Sequence, residues 1–291
     1  MAKETDPAAG VAELRVWAYP RALRAAAGGL LFVSAASLLF LLSRVLLATD
    51  PPMSPAMVLR AFLAISVLPA FAAWLVGRAL VARLEIARDA LEVRVGGQSF
   101  AVPLASIAAV EPWHIPLPRP GVALRLTSGQ LFQLGLAADD PSRFVARLAD
   151  AGVTDAARAL DAPALVYARV KQVAGRLGWR RLMAKFPLFA ALVAGVLFNA
   201  HQHIAYGGTF GQYYLEGAAP YAKTFVTYWI TVTIYLILYA SVWRWPAEIV
   251  SWLAARWGAT MATRVRRSVE LICRLAYYAG VPGLLALRFA E

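Results

Sequence analysis

The sequence predicts an α-helical integral membrane protein with four transmembrane helices, a small inserted β-barrel or β-sandwich on the cytoplasmic side, and amphipathic interfacial helices. Three observations carry this. Of the 291 residues, 60% are hydrophobic and 16% charged, with a mean hydropathy of +0.59; soluble domains run at about 45–50% apolar and about 25% charged. Apolar stretches close to the roughly 20 residues that cross a 30 Å hydrocarbon core recur four times. Between the second and the third, apolar and polar residues alternate with the period of half-buried strands.

Residues 1–24 read as a cytoplasmic N-terminal segment bearing Lys3, Arg15, Arg21 and Arg24. Residues 25–82 form a transmembrane hairpin, with spans at about 25–47 and 57–77. The first is uncharged from Ala25 to Ser43, too long for the apolar core of a cleaved signal peptide. The second carries Pro69 in its middle, which a membrane helix accommodates as a kink. A second hairpin, residues 186–243, has spans at about 186–206 and 224–243, bounded by Lys185, Lys223 and Arg244. Of the 29 basic residues, only Arg44, Arg60 and Lys223 belong to the two short connecting loops and the span ends beside them. The positive-inside rule therefore places both termini and the central region in the cytoplasm.

The central region, residues 83–151, reads as a β-domain. Leu91, Val93 and Val95 alternate with Glu92 and Arg94, Gly96-Gly97 makes a hairpin turn, and Phe100, Val102 and Leu104 alternate again. Strands are also expected at residues 107–113, 122–127 and 131–136. Asp139-Asp140-Pro141 then opens a helix with Phe144, Val145 and Leu148 on one face. On this reading residues 83–150 fold by themselves. The run Val102-Pro103-Leu104-Ala105-Ser106-Ile107, the Gly-led strand at 121–127 and the Gly135-Leu136 to Phe144 close resemble the bacterial pleckstrin-homology-like (PH-like) domain of small membrane-anchored proteins. That resemblance covers residues 83–150 and implies a PH-like fold beside a pair of membrane helices and a non-catalytic scaffolding role. Phosphoinositide binding does not carry over, because the first hairpin offers only Arg94 near its turn.

Residues 152–185 read as a basic amphipathic linker helix. Its stripe is Leu165, Val166, Val170, Val173, Leu177 and Leu182; Arg169, Lys171, Arg176, Arg180, Arg181 and Lys185 occupy much of the rest. Residues 244–291 repeat the pattern with Arg264, Arg266, Arg267 and Arg274. In such helices the formal charge of +12 belongs beside anionic headgroups, not nucleic acid. Arg169, Lys171, Arg176, Arg180, Arg181, Arg264, Arg266, Arg267 and Arg274 are the candidate lipid contacts, and fixing topology and solubility is their plainer role. Ala191 and Gly195 have small-x-x-x-small spacing and, with Asn199, Thr227, Thr231 and Tyr235, are candidate helix–helix or partner contacts.

His201 and His203 are the one weak metal candidate. Two positions apart, they point about 200° away from each other on a helix, and the only other histidine is His114 in the β-domain. No Asp or Glu lies inside any span, so the carboxylate relay of a proton-coupled transporter is missing. A single cysteine, Cys273, excludes a disulfide framework. Phosphate-binding loops, nucleophile elbows and metalloprotease helices are not present in the sequence. The expectation is a multi-pass bacterial inner-membrane protein, N-in and C-in, without cofactor or catalysis: a scaffold or assembly factor contacting anionic lipid and other membrane proteins or its own copies. A second reading is an accessory subunit of a lipid or small-molecule transport, envelope-stress or antimicrobial-resistance system. A third is a metal- or haem-associated redox subunit.

Overall fold

The computed structural model describes residues 13–46, 54–87, 89–173, 179–283 and 286. Strand Leu14–Pro20 (β1) turns directly into helix Arg21–Leu46 (α1). Pro55–Ala61 (α2), a π-helical stretch Phe62–Val67 and Leu68–Ala79 (α3) return the chain, and Leu80 alone separates α3 from Val81–Ile86 (β2). Ala90–Val95 (β3), Gln98–Pro103 (β4), Ile107–Pro112 (β5), Gly121–Leu126 (β6) and Leu134–Ala137 (β7) follow. Next come Ser142–Asp150 (α4), Thr154–Ala159 (α5), Pro163–Val173 (α6), Trp179–Met183 (α7) and π-helical Ala184–Leu188. Phe189–Tyr206 (α8), Gly211–Glu216 (α9), Ala218–Ala254 (α10) and Ala259–Tyr278 (α11) complete the chain order. Among the described residues, four helical stretches are long and apolar enough to cross a membrane: Arg21–Arg44, Ala56–Ala79, Arg180–Tyr206 and Ala218–Trp257.

The chain divides into two compact units. The first holds one antiparallel sheet of order β4-β3-β2-β1-β7-β6-β5, curled into a half-barrel. Its central strand corrects the sequence reading, which began the domain at residue 83 and left 1–24 outside it. β1 pairs with β2 from Leu14↔Leu84 to Trp17↔Val81 and with β7 from Trp17↔Ala137 to Pro20↔Leu134. Val16 and Ala18 enter the main core with Leu84, Leu91, Leu124 and Phe144. Trp17 and Tyr19 enter a second core on the other face. With both faces buried, this strand shows no apolar–polar alternation.

The expected hairpin turn forms at Gly96 and Gly97, whose φ values of 54° and 88° suit the primed turn that joins twisted strands. The strand expected at 131–136 forms instead over Leu134–Ala137, and Leu131 touches the sheet through an isolated bridge to Arg125. Asp140 accepts the Ser142 N–H at 3.1 Å and so starts α4, which buries Phe144, Val145 and Leu148. Edge strand β5 is covered by α5: the Asp155 carboxylate accepts the Val110 N–H at 3.0 Å, as an edge donor requires.

Over the described residues the 152–185 segment is not one surface helix. α6 is buried on two sides, with Leu165 in the sheet core and Val166, Tyr167 and Val170 against Trp252, Ala255 and Ala262. Leu177 and Arg176 lie outside the described residues.

The second unit packs the apolar helices. Leu41 and Leu42 of α1 and Val58 of α2 meet Ile234 and Leu238 of α10. Ala190, Val193 and Ala194 of α8 meet Val232 and Leu236 of α10 together with Tyr277 and Val281. The backbone before Pro69 finds side-chain donors nearby. Pro69 cannot donate to the Ile65 carbonyl, four residues earlier; the Ser37 hydroxyl lies 2.9 Å from that oxygen, and Ser34 donates to the Ser66 carbonyl at 2.7 Å. In the π-helical stretch of the third span, the Pro187 carbonyl accepts from Trp229 Nε1 at 2.8 Å.

Because β1 is central, residues 83–150 produced alone should show no cooperative thermal transition. Residues 13–20 joined by a short glycine-rich linker to 80–162 should give a β-rich circular dichroism spectrum and a cooperative melt. A cooperative β-fold from 83–150 alone would show that β1 is dispensable.

Candidate functional site

Within the first unit, the start of α1 and the end of α3 are welded to the sheet by paired aromatic and cationic side chains. Trp17, Tyr19, Ala27, Trp113 and Ala137 form a buried cluster backed by Val76, Leu80 and Val81. The Arg24 guanidinium lies 3.7 Å from the Trp113 ring centroid, and that of Arg119 3.9 Å from Trp17. Stacked cations of this kind contribute about 0.5–2 kcal/mol each, more as they lose water. Arg119 also pairs with Asp139 at 2.6 Å. Burial pushes the Tyr19 phenol above its usual range, while the charge of Arg119 pulls it back.

Trp113 fits only because its neighbours lack side chains. A β-carbon at Gly135 would lie 2.6 Å from its ring, and one at Gly121 2.9 Å. The loop after Trp113 then runs along α1. A β-carbon at Gly28 would be in contact with Leu117 at 3.7 Å, and Ile115 is 60% exposed. Gly28 lies inside the first apolar span, so exposed Ile115 and Leu117 stand at the end of that span. An open cleft of about 520 Å³ lies close by, lined by Arg21, Gln130, Leu131 and Gln133.

A second constellation in the same unit centres on Glu248, near the end of α10. Arg266 of α11 donates to both of its carboxylate oxygens, at 3.0 and 3.1 Å. The Tyr167 hydroxyl of α6 donates to the same group, and Lys171 Nζ lies 3.4 Å away. The Arg266 side chain is 6% exposed. A guanidinium this deeply buried requires a carboxylate partner, and the two-pronged geometry supplies one. Here one acid ties together three helices.

The second unit carries a polar cluster at the α8–α10 connection. Gln202 is fully buried and donates to Gln212 Oε1 at 2.9 Å; Gln212 donates in turn to Glu216 at 2.8 Å and to Thr224 at 3.1 Å. Tyr206 donates to Glu216 at 3.1 Å. The Gln212 backbone N–H donates back to Gln202 Oε1 at 3.2 Å, so the α9 turn is held against α8. Sequence reasoning missed this cluster, although two amides amid aromatic residues were its visible signal.

The structure separates the residues singled out from the sequence. Lys171 and Arg266 meet at Glu248 within the fold. Arg169 is exposed and reaches the Leu160 carbonyl at 3.5 Å. Arg180, Arg181, Arg264, Arg267 and Arg274 are exposed. Gly195 makes no close helix contact, since a β-carbon there would have nothing within 4 Å. The α8 seam runs instead through Ala190, Val193, Ala194 and Phe198, leaving Ala191 half-buried at its side. Asn199 is exposed and its carbonyl lies 2.9 Å from His203 Nδ1. Thr227 donates within α10 to Lys223 at 2.8 Å, Thr231 is half-buried, and Tyr235 packs beside Ile234 and Leu238. α8 continues through Tyr206, so His201 and His203 stay on different sides, His201 against the rings of Tyr206 and Tyr228. Among the described residues, no group of three or more His, Cys, Asp or Glu is placed to hold a metal ion.

Compared with known protein families, with curated proteins and with solved structures, the chain finds no match.

Replacing Glu248 with Gln strands the buried Arg266 charge. The expected loss is about 3 kcal/mol, or a fall of roughly 5–10 °C in the melting temperature of the detergent-solubilised protein. Adding Arg266→Met should recover part of it. An unchanged melting temperature in Glu248→Gln would mean that the pair does not hold these helices.

Proposed function

We propose that this protein is a non-catalytic scaffold or assembly factor of a bacterial inner membrane, N-in and C-in, presenting a PH-like domain at the cytoplasmic face. One observation carries the reading: β1 and β2 grow out of two apolar spans with no linker beyond Leu80. No flexible linker separates the β-domain from these apolar helices, as suits a docking platform at a membrane. The order of the seven strands and the helix α4 that follows them into the core support the PH-like assignment, with α5 and Leu165 of α6 packing beside it. The basic, exposed Arg180, Arg181, Arg264, Arg267 and Arg274 support contact with anionic lipid. Partner membrane proteins, or further copies of this chain, would use the exposed span faces, where Leu188, Leu192 and Val196 stand in one row.

Two measurements test this. In a Cys273→Ser background, single cysteines at Ser54 and Tyr214 should react with an impermeant maleimide from outside the cell, and one at Ser128 should not. Tyr214 is 80% exposed, whereas a β-carbon at Gly211, in the same connection, would lie 2.3 Å from the Tyr206 carbonyl. Isolation of the full chain in mild detergent should retain a reproducible set of membrane proteins, and exposed-face substitutions such as Leu192→Arg should remove them. Labelling at Ser128 from outside would overturn the orientation. A chain crosslinked to nothing in intact membranes would overturn the scaffold role.

A further inference from the structure

The loop between β5 and β6, residues 114–120, turns two apolar side chains outward, Ile115 and Leu117, at 60% and 37% exposure. Its arginine points the other way: Arg119 stacks 3.9 Å over Trp17 and pairs with Asp139 at 2.6 Å. Both ends of the loop are tied to the sheet. The Trp113 N–H donates to the Gly121 carbonyl at 2.9 Å, and the Pro120 carbonyl accepts from Ala138 at 3.1 Å. The outward apolar surface is therefore held in place by the fold.

The loop lies against α1 at the start of the first apolar stretch, within the first unit. The Arg24 guanidinium, stacked on Trp113, lies 3.5 Å from the Ile115 carbonyl oxygen. A β-carbon at Gly28 would touch that of Leu117 at 3.7 Å. Gly28 is four residues, or about 6 Å of helix, beyond Arg24, the last charged residue before the uncharged run. Amphipathic anchors bury their apolar faces about 5–10 Å into the boundary of headgroups and acyl chains, so Leu117 stands at that depth when α1 crosses a bilayer. The helix surface continues the patch. Ala25 and Phe32 lie within about 60° of Gly28 around the axis and are exposed.

The loop backbone suits an apolar medium. Irregular chain is costly there because each N–H without a partner loses its water. Three of the seven residues from 114 to 120 are proline and bring no N–H at all. Arg24 keeps its charge at the Ile115 carbonyl while its stem runs along α1, as long cationic side chains do at a membrane surface.

We propose that Ile115 and Leu117 insert among the acyl chains of the leaflet at the start of α1, making the β5–β6 loop a further membrane anchor of the β-domain. The inference rests on α1 crossing a membrane, which belongs to the proposed function. It needs neither the scaffold role nor a particular side of the bilayer.

The test uses the full chain in lipid nanodiscs, with a bimane fluorophore on single cysteines in a Cys273→Ser background. One quencher is a lipid with a nitroxide on its acyl chain, and the other is a water-soluble nitroxide. Val33, 50% exposed on α1, is the span reference, and Ala105, exposed beyond the end of β4, is the water reference. Probes at Ile115 and Leu117 should be quenched by the lipid nitroxide as Val33 is, and should lose most of the aqueous quenching seen at Ala105. Ile115→Glu should restore aqueous quenching of a probe at Leu117, and Ile115→Val should not. Aqueous quenching at Ile115 equal to that at Ala105, with Val33 still quenched from the lipid, would overturn the insertion alone. Shielding of Ile115 from both quenchers would assign the patch to a protein and overturn the lipid. A Val33 probe untouched by the lipid nitroxide would overturn the membrane reading and the insertion with it.

Discussion

The pairing of β1 with β2 is the constraint on which the rest depends. Packed helices sit about 8–10 Å apart, whereas paired strands are about 4.8 Å apart. The chain must close that gap between the ends of α1 and α3 and the first ladder bonds, with Leu80 as its one connecting residue on the return side. Ala18 donates to the Leu80 carbonyl at 3.0 Å, which begins the ladder at once. Trp17, Tyr19 and Trp113 fill the wedge left between diverging helices and converging strands. Gly77 is there because α3 comes close: a β-carbon at that position would lie 3.0 Å from the Tyr19 hydroxyl.

A second rule repeats in both units: a polar group removed from water is matched by another from a distant part of the chain. Near Pro69 and at Pro187, hydroxyls or an indole N–H bond to backbone carbonyls of the apolar stretches. Arg266 is buried, and Glu248 meets it from 18 residues away. Gln202 is buried, and Gln212 accepts its proton across a tight turn. Each match fixes one element against another. Leaving one member unpaired costs more than the pair contributes.

The spans and the hairpins were legible in the sequence because their signals are local: length, absence of charge, alternation, and two glycines where two positive φ values are needed. β1 was not. Its residues Val16 to Tyr19 are buried on both faces and adjoin an apolar span, so no period of two survives to mark it. α6 misled for a related reason. Its stripe of Leu165, Val166 and Val170 is genuine, but the stripe cannot say whether lipid or protein covers it, and here two protein surfaces do. The candidate site residues were legible by type and not by role. Lys171 and Arg266 look like Arg264 and Arg267 in sequence, and only the fold shows that the first two meet Glu248 inside it. Lys185 and Arg244 read as span boundaries, whereas the apolar helical stretches begin before the one, at Arg180, and end beyond the other, at Trp257.

The place of the first hairpin within the sheet sets an order of events in the making of the protein. β1 leaves the ribosome before either of the first two spans, yet both of its ladder partners, β2 and β7, are synthesised after them. It must wait, unpaired, while both helices are made. Where the two helices cross a bilayer, β1 and β2 join only if they finish on the same side of it, after an even number of crossings. A chain with one of the two helices left uninserted would strand β1 opposite its partners and leave the sheet without its middle. In that setting the half-barrel could be completed only after both helices had inserted, and a chain that failed to insert them would expose the open edges of β2 and β7.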